Sequence, residues 1–208
     1  MCFSNVVKVV DRGESSWSTL TSLQRKGLDE ATRLLMKAAG QGHAKAQFIL
    51  GEINHNGLGV KQNYDEAFRW YEKAAHQGHV SAQFNLGILY DEGRGIKQSD
   101  SEAFRWYDKA AHQGHAIAQL SLGIMYSKGR GVKQSDTEAF RWFEKAAYQG
   151  NTEAQYATGL FFHEGRGVKQ SDTEALRWLA QAAKQGHTAA QLLLNTISAG
   201  SSKVLANN

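Results

Sequence analysis

HVSAQFNLGILYDEGRGIKQSDSEAFRWYDKAAHQG, from His79 to Gly114, is one of four near-copies that follow one another without a gap from His43 to Gly186. The step is 36 residues: Gly51, Gly87, Gly123 and Gly159 keep it, as do Trp70, Trp106, Trp142 and Trp178. A half unit, Leu28–Gly42, precedes the four, and another, His187–Ala199, follows them. A period of this length marks a repeat array, in which each unit buries its apolar face only against its neighbours.

Within the unit two helical patterns alternate. Ala82, Leu86 and Tyr90 fall at i, i+4 and i+8, with Gln83 and Gly87 beside them, and so share one helix face. A glycine inside a helix costs ~1 kcal/mol against alanine, so Gly87 and its equivalents predict a close approach by a neighbouring helix. The second pattern carries Ala103, Trp106, Tyr107, Ala110 and Ala111 on one face, the tryptophan filling the space between units. Between the two helices, Gly93 and Gly95 supply a left-handed terminator, and Ile96 (valine elsewhere) is expected to fold back as an apolar plug. Ser99-x-x-Glu102, Ser135-x-x-Glu138 and Ser171-x-x-Glu174 read as capping boxes, with Asn63-x-x-Glu66 a variant. The expected fold is all-α: a solenoid of helix-turn-helix repeats over residues 28–199. Residues 1–27 form a segment outside the repeat, and 200–208 a flexible tail. Leu34 in place of the tryptophan, and Asn195 in place of the glycine, mark atypical end units.

Composition bounds the rest. The 208 residues include 21 glycines and no proline, so glycine does the punctuating. The net charge of +4, from 24 basic and 20 acidic residues interspersed, argues against nucleic acid as a partner. No stretch is long and apolar enough to span a bilayer. Cys2, the single cysteine, rules out an internal disulfide. As written the chain carries no signal peptide, which places it in the cytoplasm. If its start is a processed fragment, Cys2 is a lipidation site and the protein periplasmic or lipid-anchored.

These residues resemble the Sel-1-like repeat family, a tetratricopeptide-like α-solenoid. The resemblance rests on Ala-Gln-x-x-Leu-Gly-x-x-Tyr at 82–90, Gly-x-Gly-Ile at 93–96, and the run from Ala103 to Gly114, with close copies in the other units. It implies a right-handed superhelix whose first helices line a concave groove. It also implies an adaptor role: similar proteins serve in membrane-protein quality control, in bacterial host interaction and signalling, and as immunity proteins against secreted toxins. Some relatives are linked to β-lactam binding or hydrolysis, and some carry a disulfide in each repeat, which this chain lacks.

The face opposite the packing stripe changes character from unit to unit while the packing columns barely change. That contrast marks it as the candidate partner-binding groove. Its residues are Lys45, Ile49 and Glu52 in the first unit, with Phe48 and His55, and Ser81, Phe84, Asn85, Ile88 and Asp91 in the second. The third unit supplies Ile117, Ser121, Ile124 and Ser127, with Leu120; the fourth supplies Glu153, Tyr156, Leu160 and His163, with Ala157. The apolar columns among them also suit packing between units. Such a lining suits a helix or an extended peptide, and the chain itself reads as a monomer or weak oligomer.

No catalytic set, cofactor site or metal site is read from the sequence. The Gly-x-Gly pairs follow a helix rather than a strand and repeat as turns. His76/His79 and His112/His115 straddle a turn without further ligands. Arg94, Arg130 and Arg166, with Lys97, Lys133 and Lys169, form a solvated edge expected to be balanced by Asp100, Asp136 and Asp172 of the next capping box. The expected function is a non-catalytic protein-interaction scaffold, with toxin immunity as the alternative and a β-lactam-type hydrolase as a distant one.

Overall fold

The computed structural model describes residues 22–206, and side chains over residues 30–199. Cys2 and most of the 1–27 segment lie outside the described residues. Ten α-helices and no strand occur among the described residues: α1 Ser22–Gly40, α2 Ala44–Asn56, α3 Tyr64–His76, α4 Val80–Glu92, α5 Asp100–His112, α6 Ala116–Lys128, α7 Asp136–Tyr148, α8 Thr152–Glu164, α9 Asp172–Lys184 and α10 Thr188–Ala206. They are consecutive helix pairs in the 36-residue period, the architecture of the α-solenoid class. The chain divides into two compact parts between Ser99 and Asp100.

Both ends differ from the sequence expectation. The first helix starts at Ser22, six residues ahead of the half unit. The last runs on to Ala206, through the segment expected to be a tail, because no Gly-x-Gly turn and no proline stops it. At the N-terminal end Leu34, in the tryptophan column, is 49% exposed, since no second helix precedes it in the repeat.

The helical glycines do what their recurrence implies. A Cβ on Gly51 would lie 2.4 Å from the Tyr71 ring, and one on Gly123 would lie 2.4 Å from that of Phe143. At Gly159 the neighbour is Leu179. Each glycine therefore seats the large side chain of the second helix in its own hairpin. The buried stripe of a first helix is Ala82, Gln83, Leu86, Gly87 and Leu89. Tyr90, expected in it, is instead half-buried and meets Phe68 of the preceding unit edge-on, with centroids 5.5 Å apart. Tyr126 on Phe104 and Phe162 on Phe140 repeat that contact.

Three recurring devices hold the stack, the first and third between neighbouring units and the second within each unit. The first is a glutamine ladder. Buried Gln47, Gln83, Gln119 and Gln155 donate to the carbonyls of Ala39, Ala75, Ala111 and Ala147, at the end of the preceding helix. Their side-chain oxygens accept from the next turn, Gln77 to Gln47 at 2.6 Å and Gln149 to Gln119 at 2.7 Å. Removing one such glutamine leaves the carbonyl with only the N–H of the following glycine and takes the acceptor from the next turn's amide, at about 0.5–1.5 kcal/mol for each lost bond. Gln119→Leu is expected to destabilise the chain by about 2 kcal/mol in chemical denaturation; a neutral outcome would show that the ladder contributes nothing.

The second device is a half capping box. Asn63, Ser135 and Ser171 accept the N–H of Glu66, Glu138 and Glu174 as expected. The reciprocal half is replaced. The glutamates pair with Arg69, Arg141 and Arg177 on their own helix. The cap N–H groups instead donate to Asn54, Tyr126 and Phe162 of the first helix, fastening the loop.

The third is an arginine clamp that points backward. Arg130 binds Asp100 at 2.6 Å and Arg166 binds Asp136 at 2.8 Å, so each reaches the unit before it rather than the next capping box. The bond to Asp136 holds the Arg166 pKa above its ordinary value. The reason lies in the turn: the second glycine, Gly131 or Gly167, rests on the Asp100 or Asp136 carbonyl, which leaves the arginine beside that aspartate. The apolar plug is partial. Val168 packs on the Phe140–Phe161 cluster, whereas Val60 is 43% exposed.

Candidate functional site: the face of the first helices

The first helices place every candidate residue outside the core. Lys45, Ile117 and Glu153 are exposed, Ile117 at 50%. Ile49, Glu52, Ser81, Phe84, Asn85, Ile88, Asp91, Ser121, Ile124, Ser127, Tyr156, Leu160 and His163 are half-buried, and none is buried. The structure also separates those held by neighbours. Ile49 packs on the Leu35–Leu50 cluster, and Leu120 and Ile124 pack on the Phe140–Phe161 cluster.

In the N-terminal part Glu52 accepts from the Tyr71 hydroxyl and from Asn85 Nδ2, the latter at 2.7 Å. Burial, then the Glu52 bond, pushes the Tyr71 pKa well up, so the phenol stays protonated and donates. In the C-terminal part His163 Nδ1 lies 2.7 Å from Asp172, the aspartate that no later arginine in the repeat column reaches. Glu153 lies 3.0 Å from His187 Nε2. Glu52, Asn85, Glu153 and His163 thus help to hold the stack as well as lining the face. Ser121 bonds back along its own helix, to the Ile117 carbonyl.

Sequence reading missed one role. His79, His115 and His187 are helix N-caps, each accepting an N–H through Nδ1 from Ala82, Ala118 and Ala190. Asn151 takes the same place before α8. His79 also stacks on Phe48, and His187 on Tyr156, with centroids 4.6 Å apart in both pairs. The signal was present: each histidine stands four residues before the recurrent glutamine of its own repeat, where Asn151 also stands.

Capping requires a neutral ring, because a protonated Nδ1 has no lone pair. Burial lowers the His79 pKa, with Lys45 adding to it, and burial lowers that of His115. In the unfolded chain histidine titrates near ~6.5. The unfolded state therefore takes up protons first. The caps' contribution is present above about pH 6.5 and is lost as pH falls through the folded pKa. Melting temperature should fall as pH drops from about 7.5 to about 5. His79→Asn with His115→Asn, which copies the cap at Asn151, should flatten that fall. An undiminished slope would acquit the histidines.

Among the described residues no three His, Cys, Asp or Glu side chains gather as a metal site. No helix of the described residues is long and apolar enough to cross a membrane.

The repeat can now be compared with known proteins. The Sel1 repeat family matches at residues 44–79, 80–115, 116–151 and 152–187. The chain belongs to the Sel1 repeat family. A Sel1 repeat protein from Oxalobacter formigenes is 37% identical, with a TM-score of 0.74, over 84% of this chain and 74% of that one. A protective antigen present in uropathogenic Escherichia coli strains, with the same fold, is 32% identical with a TM-score of 0.74. That match covers 92% of this chain but 42% of the antigen, so the chain spans less than half the antigen's length. An immunity protein from Pseudomonas aeruginosa, 21% identical with a TM-score of 0.51 over 91% of this chain and 67% of that one, shares the fold. No curated protein is significantly similar. Sel1 repeats generally mediate protein–protein interaction, and the Sel1 fold is typically a non-catalytic scaffold.

Proposed function

We propose that this Sel1 protein is a non-catalytic scaffold that holds a protein or peptide partner on the face of its first helices. One observation carries the reading. The recurrent columns are consumed in packing, ladder and clamp, while the columns of the candidate face, which differ between units, stay at least partly accessible on one side of each first helix. Ile117 at the surface beside Ser121 offers an apolar anchor with a polar neighbour, the usual anatomy of a binding patch. Immunity against a toxin is a narrower form of the same activity, and the shared fold of the Pseudomonas protein is its only support.

The test uses substitutions at the solvent end of the face, because Asn85 and Glu52 also support the fold. Lys45→Glu with Ile117→Asp should keep the wild-type melting temperature and lose the partner captured by the wild-type chain. Lys133→Glu, in a loop away from the face, should keep that partner. Equal capture by all three proteins would refute the face as the binding surface.

A further inference from the structure

We propose that the loop of the first full unit accepts a carboxylate carried by an acidic segment of a protein partner. The inference rests on the scaffold reading but on a different surface from the first-helix face.

Three arginines, Arg94, Arg130 and Arg166, stand at one place in the repeat. Arg130 and Arg166 each face an aspartate through Nε and Nη2, at 3.5 and 2.6 Å for Asp100 and at 3.3 and 2.8 Å for Asp136. Tyr64 stands where those aspartates stand. Arg94 therefore lies over the Tyr64 ring, 5.4 Å from its centroid, with Nη1 3.3 Å from the hydroxyl. Its carboxylate partner is Glu92 at 2.9 Å. Glu164 is the counterpart of Glu92 and sits 3.6 Å from Arg166 in addition to Asp136. The first unit thus lacks the second carboxylate of this clamp. Arg94, which the following unit supplies, is correspondingly more open, 47% exposed against 36% for the other two.

The surroundings offer donors. Gln62 Nε2, at 2.9 Å, and Arg94 both donate to the Tyr64 oxygen, so the phenolic proton points elsewhere, and no acceptor for it lies among the described residues. A cavity of about 390 Å³ opens here, lined by Lys61, Gln62, Asn63, Tyr64, Asp65 and Gly95. Lys61 is exposed, and Asn63 uses its oxygen on the Glu66 N–H, which leaves its amide hydrogens to donate. Asp65 is the one acid of the lining and is exposed. Lys61, a phenol and an amide around the hollow, with Arg94 bonded to that phenol at its edge, form a donor set for a carboxylate. The internal copies show the ligand that the arginine takes.

The probe is an acetylated peptide alternating alanine, aspartate and glutamate, titrated into the ¹⁵N-labelled full chain. Amide shifts should concentrate at Lys61–Asp65 and Arg94–Gly95. The matching asparagine/glutamine peptide and inorganic phosphate should leave them in place. Arg94→Gln should weaken the peptide about tenfold or more, the effect of losing a charge-assisted pair. Tyr64→Asp, which supplies the carboxylate internally, should abolish binding and raise the melting temperature. Shifts of equal size with phosphate, or peptide binding unaltered in both variants, would overturn the proposal. Lys45→Glu with Ile117→Asp should not affect the peptide. Loss of peptide binding there would move the peptide to the first-helix face, overturning this inference while sparing the scaffold reading.

Discussion

Gly167→Ala is expected to cost about 3 kcal/mol, the sum of a left-handed backbone on alanine and an overpacked contact. Gly167 has φ +65°, and an ideal Cβ there would lie 2.2 Å from the Asp136 carbonyl oxygen and 2.5 Å from the Thr137 amide. Both obstacles are backbone, so no rotamer change relieves them. The two units must part, which also pulls Arg166 from Asp136. Gly150 is the control. It has φ +85°, and a Cβ on it meets nothing within 4 Å. Gly150→Ala should show the backbone cost alone, about 1 kcal/mol. Denaturant melts of the two variants isolate the contact. Equal losses would mean that the turn does not rest on the preceding unit as described.

Trp178→Ala should cost about 3–5 kcal/mol, the usual range for deleting a large buried aromatic. Trp178 is 2% exposed and packs with Ala146 and Ala147 of the preceding unit and with Ala154 of its own. Tyr148 meets it edge-on, with centroids 5.0 Å apart. Its Nε1 is buried and donates to nothing among the described residues, so truncation breaks no hydrogen bond there, and the loss is one of packing. Trp178→Phe should recover more than half of it. A loss below about 1 kcal/mol would be the value of a surface site and would place the tryptophan outside the core. Because repeat stability sums local and nearest-neighbour terms, α9 and α10 should loosen first, which hydrogen exchange would resolve.

The repeat, the helix pairs and the seating glycines were legible because each follows from spacing alone. Gly123 opposite Phe143 is a case where a costly residue recurring at a fixed step points to its own reason. The inter-unit chemistry was less legible, since it depends on which unit a side chain turns toward. Arg166 stands six residues before Asp172 in sequence, yet binds Asp136, thirty residues back. Ser135 and Glu138 formed the expected motif, but a loop N–H already satisfied by Tyr126 left the glutamate to Arg141. The glutamine column looked like the edge of a stripe, because sequence does not reveal that a buried amide faces the frayed carbonyls of the preceding helix. The candidate face was legible in outline. Its internal division, with Glu52 tied to Tyr71 and Asn85 while Ile117 stands open, appeared only with the side chains in place.

The first helices keep one side partly accessible, and that side is the proposed seat of a partner. Its most direct test is a hydrogen-exchange footprint of the chain with its captured partner. The account predicts slowed exchange within Ala44–Asn56, Ala116–Lys128 and Thr152–Glu164, with little change in Asp136–Tyr148 and Asp172–Lys184. Protection confined to those second helices, with the first helices exchanging as in the free chain, would contradict it.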